Sequence, residues 1–156
     1  MPGWWQQQHS ILADVDRERD VQQLAQMTVK AEGEVFWRDV CDELKFLADN
    51  PPPKLQVRHH HGPSATSRYE DHCRIEIGYS CASPRFSYTD LWYVRGDGQI
   101  RYKPMRGADS SLRLCVVDGR VCAVSRSEPM SAEAVAEFIA RPMLEYAIPA
   151  ALAGVS

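Results

Sequence analysis

The sequence lacks several motifs that accompany common chemistries. Its 156 residues contain no glycine-rich phosphate loop, no GxSxG nucleophile elbow and no HExxH helix. The five cysteines include no CxxC pair, so they indicate neither a zinc ribbon nor, being odd in number, a complete disulfide framework. Missing motifs count only weakly against catalysis, but these absences remove the usual nucleotide-binding and hydrolase interpretations.

Long hydrophobic stretches are also missing. The longest apolar runs, such as AIPAALAGV near the C-terminus, fall far short of the ~20 residues of a membrane helix. The N-terminal MPGWWQQQHS has neither the cationic nor the apolar part of a secretory signal. We therefore expect a cytoplasmic protein with reduced thiols and no membrane association.

The composition is that of a globular domain, with 44% hydrophobic and 25% charged residues. A chain of this length can bury one sizeable core. We expect a single domain over residues 1–156, in which 1–10 and 149–156 are the segments open to flexibility.

Charge is unevenly distributed although the net charge is only −3. Residues 1–50 carry five Lys/Arg against ten Asp/Glu, and residues 51–126 carry twelve against seven. Residues 127–156 carry one Arg against four Glu. The simplest interpretation is that acidic helices attract a basic sheet within one fold, and the alternative is a basic surface for a polyanion.

The order of periodicities predicts an α+β domain. Apolar residues at helical spacing predict a helix from about residue 11 to Asn50, capped by Ser10 and in one piece or broken at Gly33. The proline triplet at 51–53 ends it. Period-two patterns with glycine turns then predict strands near 54–61, 69–80, 86–95, 99–104, 112–117 and 120–126. A last helix, near 131–147, contains a helix-disturbing proline at 142. The prediction is a curved antiparallel meander of about five or six strands, with both helices packed on one face.

The first two strands raise a question about their histidines. Aligning the apolar faces, with a loop at residues 62–68, places His59 opposite Asp71 and His61 opposite Tyr69 on the side that meets the helices. Imidazole and carboxylate at this separation can hydrogen-bond, which orients a general base. We interpret His59 and Asp71 with Tyr69 as a candidate catalytic set, against the simpler interpretation of a structural pair at the end of the core.

Metal binding is the other interpretation of these histidines. His59, His61 and Asp71 are suitable ligand types, with Cys73 further along the same face, but they need a donor from elsewhere. We therefore expect no metal, and no motif indicates any other cofactor.

Three functions remain open from the sequence. The favoured hypothesis is a non-enzymatic module that binds a protein partner or a small apolar ligand between helices and sheet, lined by Trp37, Val40, Tyr79, Phe86, Phe138 and Met143. The second is an enzyme that uses His59 and Asp71. The third is RNA or polyanion binding by a basic sheet face, which includes Arg58, Arg74, Arg101 and Lys103, although nucleic acid is the least favoured partner. Strands with bulky residues on both faces, such as 112–117, also suggest a homodimer.

Overall fold

The computed structural model describes residues 2–63, 70–79 and 86–153, without the side chains of Tyr79 and of residues 146–153. Within these ranges, two helices pack on one face of a seven-stranded antiparallel sheet. The helices are α1 (Gly3–Asp49) and α2 (Ala132–Ala153). The strands are β1 (Leu55–Pro63), β2 (Glu70–Tyr79), β3 (Phe86–Val94), β4 (Gln99–Pro104), β5 (Ser110–Val117), β6 (Arg120–Ser125) and β7 (Glu128–Met130). The α+β prediction is confirmed, with one short strand more than expected.

Helix α1 is longer at its N-terminus than the sequence pattern predicted. It begins at Gly3, so Ser10 lies inside it and the predicted cap is wrong. Only its second half is packed, through residues of one stripe: Gly33, Phe36, Trp37, Val40, Cys41 and Leu44. The preceding part, residues 3–24, is exposed along its whole length and is called the arm below.

The helix passes through Gly33 without a break, and this residue packs directly against Tyr93 of β3. A Cβ added there would lie 2.7 Å from the hydroxyl oxygen of Tyr93. That separation is far below van der Waals contact, so only glycine allows the close approach of helix and strand. Glycine costs ~1 kcal/mol relative to alanine within a helix, and the packing of α1 against Tyr93 explains why it is present here.

The strands form a simple meander in which each strand pairs with the next along the chain. The predicted two-residue hairpin between β5 and β6 is confirmed, since Val116 pairs with Val121. Asp118 and Gly119 have φ of 51° and 75°, as a type I′ turn requires. The β3–β4 turn likewise has positive φ at Gly96 and Gly98. The turn chemistry therefore sets the antiparallel order.

Helix α2 begins where Ser131 caps it, with its Oγ accepting a hydrogen bond from the amide of Ala134 at 3.2 Å. The helix continues past Pro142 rather than ending there. Its buried residues, Val135, Ala136, Ile139, Ala140 and Met143, join the core formed by α1 and the sheet. In the described part of the chain, neither helix combines the length and apolarity needed to span a membrane.

The β1–β2 hairpin has the predicted parity but not the predicted register. His59 pairs with Ile75, His61 with Cys73 and Pro63 with Asp71. Relative to the prediction, the partners are shifted by four residues along β2. Such a shift keeps the same side chains facing the helices, so the apolar pattern could not exclude it.

Candidate functional site

A cluster of thiols and imidazole lies between the C-terminal half of α1 and the β1 edge of the sheet. Cys41 of α1 and Cys73 of β2 are 1% and 0% exposed. The Cys73 Sγ lies 3.1 Å from Nε2 of His59 on the edge strand β1. Cys41 lies near the same sulfur and influences its ionisation. The imidazole of His59 is therefore in direct contact with the Cys73 sulfur.

The contacts make the two thiols chemically different. The nearby Cys41 thiol lowers the pKa of Cys73 to about 6, against burial and with a further contribution from His59. The pKa of Cys41 is raised far above its ordinary value, first by the neighbouring Cys73 and then by burial. The environment therefore favours ionisation of Cys73 over ionisation of Cys41.

Asp71 belongs to a second set of contacts on the same face. The indole Nε1 of Trp37 donates a hydrogen bond of 3.2 Å to its Oδ2. Nε2 of His61 lies 3.6 Å from that oxygen. The ring of Trp37 stacks on Tyr93, with centroids 5.7 Å apart. The predicted pairing of Asp71 with His59 is therefore wrong: Asp71 contacts His61, and His59 contacts Cys73.

The remaining parts of the predicted catalytic and metal sets have different outcomes. Tyr69 lies outside the described residues. Among the His, Cys, Asp and Glu side chains in the described ranges, no three have the geometry of a metal site. A His59–Asp71 acid–base pair is absent from the geometry, so the enzyme hypothesis in its original form has no support.

A cleft of about 840 Å³ opens between α2 and strands β3, β4 and β7. Its apolar walls come from Tyr102, Met130, Phe138 and Met143. The ring of Phe138 packs edge-to-face against Tyr102, with centroids 5.8 Å apart. Such a volume is in the range of small-molecule sites.

The floor of the cleft carries two hydroxyl groups. Ser87 and Thr89 are buried residues on the helix-facing side of β3. The Thr89 hydroxyl donates to the sulfur of Met143 at 3.5 Å. A thioether is a weak acceptor, so this hydroxyl can exchange its partner at little cost. The cleft therefore combines apolar walls with two hydroxyl groups at its floor.

The predicted ligand-lining residues do not form one set. Phe138 and Met143 line the cleft, whereas Trp37 and Val40 are fully buried in the packed core. Phe86 lies on the outer sheet face, where the Arg58 guanidinium is 4.6 Å from its ring centroid, so it does not line the space beneath the helices. The side chain of Tyr79 lies outside the described residues.

The outer sheet face contains a buried carboxylate within a basic surface. Asp90 accepts hydrogen bonds from Arg74 at 2.7 and 2.9 Å, and His72 Nε2 lies 2.7 Å from its Oδ1. Burial opposes ionisation of Asp90, but these contacts outweigh it and hold the pKa of the carboxyl below its ordinary value. The Arg74 guanidinium also lies 4.3 Å from the ring centroid of Tyr88.

The other predicted basic residues share this face. Arg101 bonds to Glu70 at 2.8 Å and lies 5.8 Å from the ring centroid of Trp92. Lys103 is exposed and pairs in register with Asp90. Two of the four predicted basic side chains, Arg74 and Arg101, are thus neutralised by carboxylates of the same sheet.

Sequence reasoning missed several residues of these sites. Cys41 has no histidine near it in sequence, but its spacing from Trp37 and Leu44 places it on the packed stripe of α1. Ser87 and Thr89 alternate with larger residues in β3. Two small polar residues on the face that meets the helices could have indicated a cleft, because they leave space there.

Comparison with known proteins gives no relative from which a function could be transferred: no family model, curated protein or solved structure matches this chain. Function is therefore inferred from the geometry of the described residues.

Proposed function

We propose that the protein is a non-enzymatic binding module whose ligand is a small, largely apolar molecule held in the cleft beneath α2. The observation that carries this proposal is the cleft of about 840 Å³ with apolar walls and hydroxyl groups at its floor. Sites for small ligands commonly combine these two features. We propose the cytoplasm as its compartment, which the free thiols Cys41, Cys73, Cys115 and Cys122 support.

The lining defines the chemical class of the ligand. Phe138 provides an aromatic surface and Met143 a flexible apolar one, and together they suit a hydrocarbon chain or ring. Ser87 and Thr89 suit one hydroxyl or carboxyl group at the inner end of the ligand. Charges of both signs at the rim, including Arg141 paired with Glu137, favour neither a strongly anionic nor a strongly cationic ligand.

The test fills the cleft with a side chain. Ala134 lines the cleft, whereas its neighbour Glu133 is exposed and does not. We expect A134W to weaken binding of decanoate or decanol at least ~tenfold through steric exclusion, and E133W to leave it unchanged. Titration of ¹⁵N-labelled protein measures both the affinity and the position, since amides of Ser87, Thr89 and Tyr102 should shift.

Two outcomes would contradict the proposal. Saturable shifts confined to the exposed arm would show that the apolar probe prefers the helix surface. Equal affinity in A134W and E133W would show that the cleft does not hold the ligand.

We also propose that a second copy of the chain is a protein partner, through the arm of α1. Trp4, Ile11 and Val15 lie at helical spacing from Phe36 and Val40, so the face that is packed in the second half of α1 is apolar again on the arm, beyond the polar residues between them. On the arm this stripe is uncovered, with Trp4 63% exposed. A helix of this length gains most of its stability from packing an apolar face.

The arm's charges favour an antiparallel partner. If two arms cross between residues 16 and 17, Asp14 and Asp16 of one copy lie near Arg19 and Arg17 of the other. Trp4 then lies beside Val29 of the second copy. Val29 borders a second cleft of about 560 Å³ between α1 and β5, which can accept an aromatic ring.

A further inference from the structure

The two edges of the sheet differ in how their backbones are protected. The sheet ends at β1 on one side and at β7 on the other. Strand β7 is three residues long and contains Pro129, and both features hinder the pairing of a further strand. Strand β1 is nine residues long and pairs with β2 in an unbroken register from Leu55 to Pro63. In the described part of the chain, no strand pairs with the other side of β1.

The hydrogen-bonding pattern of the sheet identifies the backbone groups that face this open side. The Tyr88 carbonyl accepts a hydrogen bond of 2.8 Å from the amide of Met105, so Tyr88 is directed toward the β4 side. Adjacent residues of a strand bond to opposite neighbours, so Thr89 bonds to its β2 partner Ile75. Ile75 therefore does not bond to His59, its partner in β1. The backbone amide and carbonyl of His59 consequently point to the open side.

The two ends of β1 agree with this assignment. The amide of Leu55 donates to a carbonyl of the preceding turn at 3.2 Å, and Pro63 has no amide hydrogen to donate to β2. Both residues have the same parity as His59. Val57, His59 and His61 therefore direct their amides and carbonyls away from the sheet, at every second residue. This is the pattern of groups to which an added strand bonds.

The long side chains of β1 lean over the sheet and leave this backbone uncovered. His59 points toward β2, with its Nε2 3.1 Å from the Cys73 sulfur. On the outer face, the Arg58 guanidinium lies 4.6 Å from the ring centroid of Phe86, which belongs to β3. The exposed edge is therefore available for main-chain pairing.

The charge of the edge strand selects the chemistry of a partner. The nine residues LQVRHHHGP include one arginine and three histidines but no carboxylate. Arg58 pairs in register with Glu76, but the carboxylate of Glu76 lies 3.8 Å from Arg74. A strand beside β1 would meet Arg58 and His60 on the outer face and the half-buried Val57 on the inner face.

We propose that β1 is a docking site for an extended segment of another protein, which adds to the sheet as an antiparallel strand and in which acidic residues alternate with apolar ones. The acidic side chains lie on the outer face beside Arg58 and His60, and the apolar ones lie on the inner face beside Val57. A second copy of β1 lacks this complementarity, because it brings no carboxylate to Arg58.

The experiment tests the backbone contacts with the fluorescently labelled peptide acetyl-TEVEVET-amide and the full chain. In antiparallel pairing, the peptide residues opposite Val57, His59 and His61 lie on the same face and exchange hydrogen bonds with them. These are the valines of the peptide. We expect N-methylation of both valines to weaken binding at least ~tenfold in fluorescence anisotropy, and N-methylation of two glutamates to leave it unchanged.

Two further measurements locate the peptide and test its charge. The amides of Val57, His59 and His61 should gain protection from hydrogen exchange when the unmodified peptide binds. R58E/H60E should weaken binding at least ~tenfold by placing like charges together, whereas R113E, which changes an exposed arginine of β5, should not.

Several results would overturn the proposal. Equal binding of the two N-methylated peptides would show that charge holds the peptide without strand addition. Protection of the β1 amides that rises with the concentration of the protein alone would identify a second copy as the occupant. Absence of binding by the unmodified peptide would remove the acidic partner. The N-methylated peptides are compared on the native chain, so the result does not depend on the folding of a variant.

Discussion

At the scale of single residues, the Asp90 carboxylate on the outer sheet face is expected to stabilise the fold. We predict that D90N lowers the free energy of unfolding at pH 7 by about 1–3 kcal/mol, because Arg74 and His72 lose a buried charged acceptor. Urea denaturation measures the change. E70Q is the matched control, since its partner Arg101 is half-exposed and such pairs contribute less than about 1 kcal/mol.

The same prediction has a pH dependence of known sign. The pKa of Asp90 is lower in the folded state than in the unfolded chain, so its contribution is complete above the unfolded value, ~3.9, and is lost as the pH falls through the folded value. The difference between the native chain and D90N should therefore shrink below about pH 4. If the difference in unfolding free energy stays constant down to pH 2, the contacts of Asp90 do not lower its pKa in the folded state.

The sequence predicted on which face of the sheet each side chain of the first hairpin lies, but it did not predict which residue each one contacts. Alternation of Leu55 and Val57 with polar neighbours correctly placed His59 on the inner face. Its partner depends on the register and on a helix distant in sequence, and neither is encoded by alternation. The contact between His59 and Cys73 is therefore a tertiary property, as is the approach of Cys41 from α1.

At the scale of elements, the arm of α1 leads to a prediction about association. We expect the chain to dimerise reversibly in sedimentation experiments, and both D14K/D16K and R17E/R19E to weaken dimerisation at least ~tenfold by placing like charges together. Mixing these two variants should restore association, because each then meets its charge complement. The mixture separates pairing between chains from a simple loss of helix within one chain.

The contradicting results for the arm are equally specific. A chain that stays monomeric at all concentrations, with rapid hydrogen exchange in residues 3–24, would leave the stripe without a partner. Association that is insensitive to the charge changes but lost in W4A would indicate apolar contact without the antiparallel register.

Element types were predictable where a short-range signal exists. The proline triplet ends α1, and Asp118–Gly119 sets a hairpin, because each acts through its own backbone. The beginning of α1 was missed because residues 16–28 interrupt the apolar stripe, so its continuation at Trp4 was not visible as one period. Gly33 was interpreted as a weak point because helix propensity is local, whereas the Tyr93 hydroxyl that requires glycine comes from β3.

At the scale of the whole molecule, the charge blocks of the sequence become two faces. Basic residues of the sheet, such as Arg74, form ion pairs with acidic residues of the sheet on its outer face, away from the helices. Among the described residues, Glu34 of α1 forms an ion pair with Arg95, which follows β3, at 3.6 Å. The basic residues of the outer sheet face are therefore paired mainly with carboxylates of the sheet itself rather than with the acidic helices.

This separation predicts weak and salt-sensitive binding of polyanions. Arg74 and Arg101 are already paired with carboxylates, so few cations remain to displace counterions from RNA. We expect single-stranded RNA to bind detectably at low salt, with a shallow dependence on salt, and to dissociate by about 0.15 M. Fluorescence anisotropy of a labelled oligonucleotide measures this, and R58E/K103E should abolish the residual binding. Tight binding at 0.15 M that depends on Trp92 would instead favour a nucleic-acid function, because stacking on an aromatic ring persists when charge is screened.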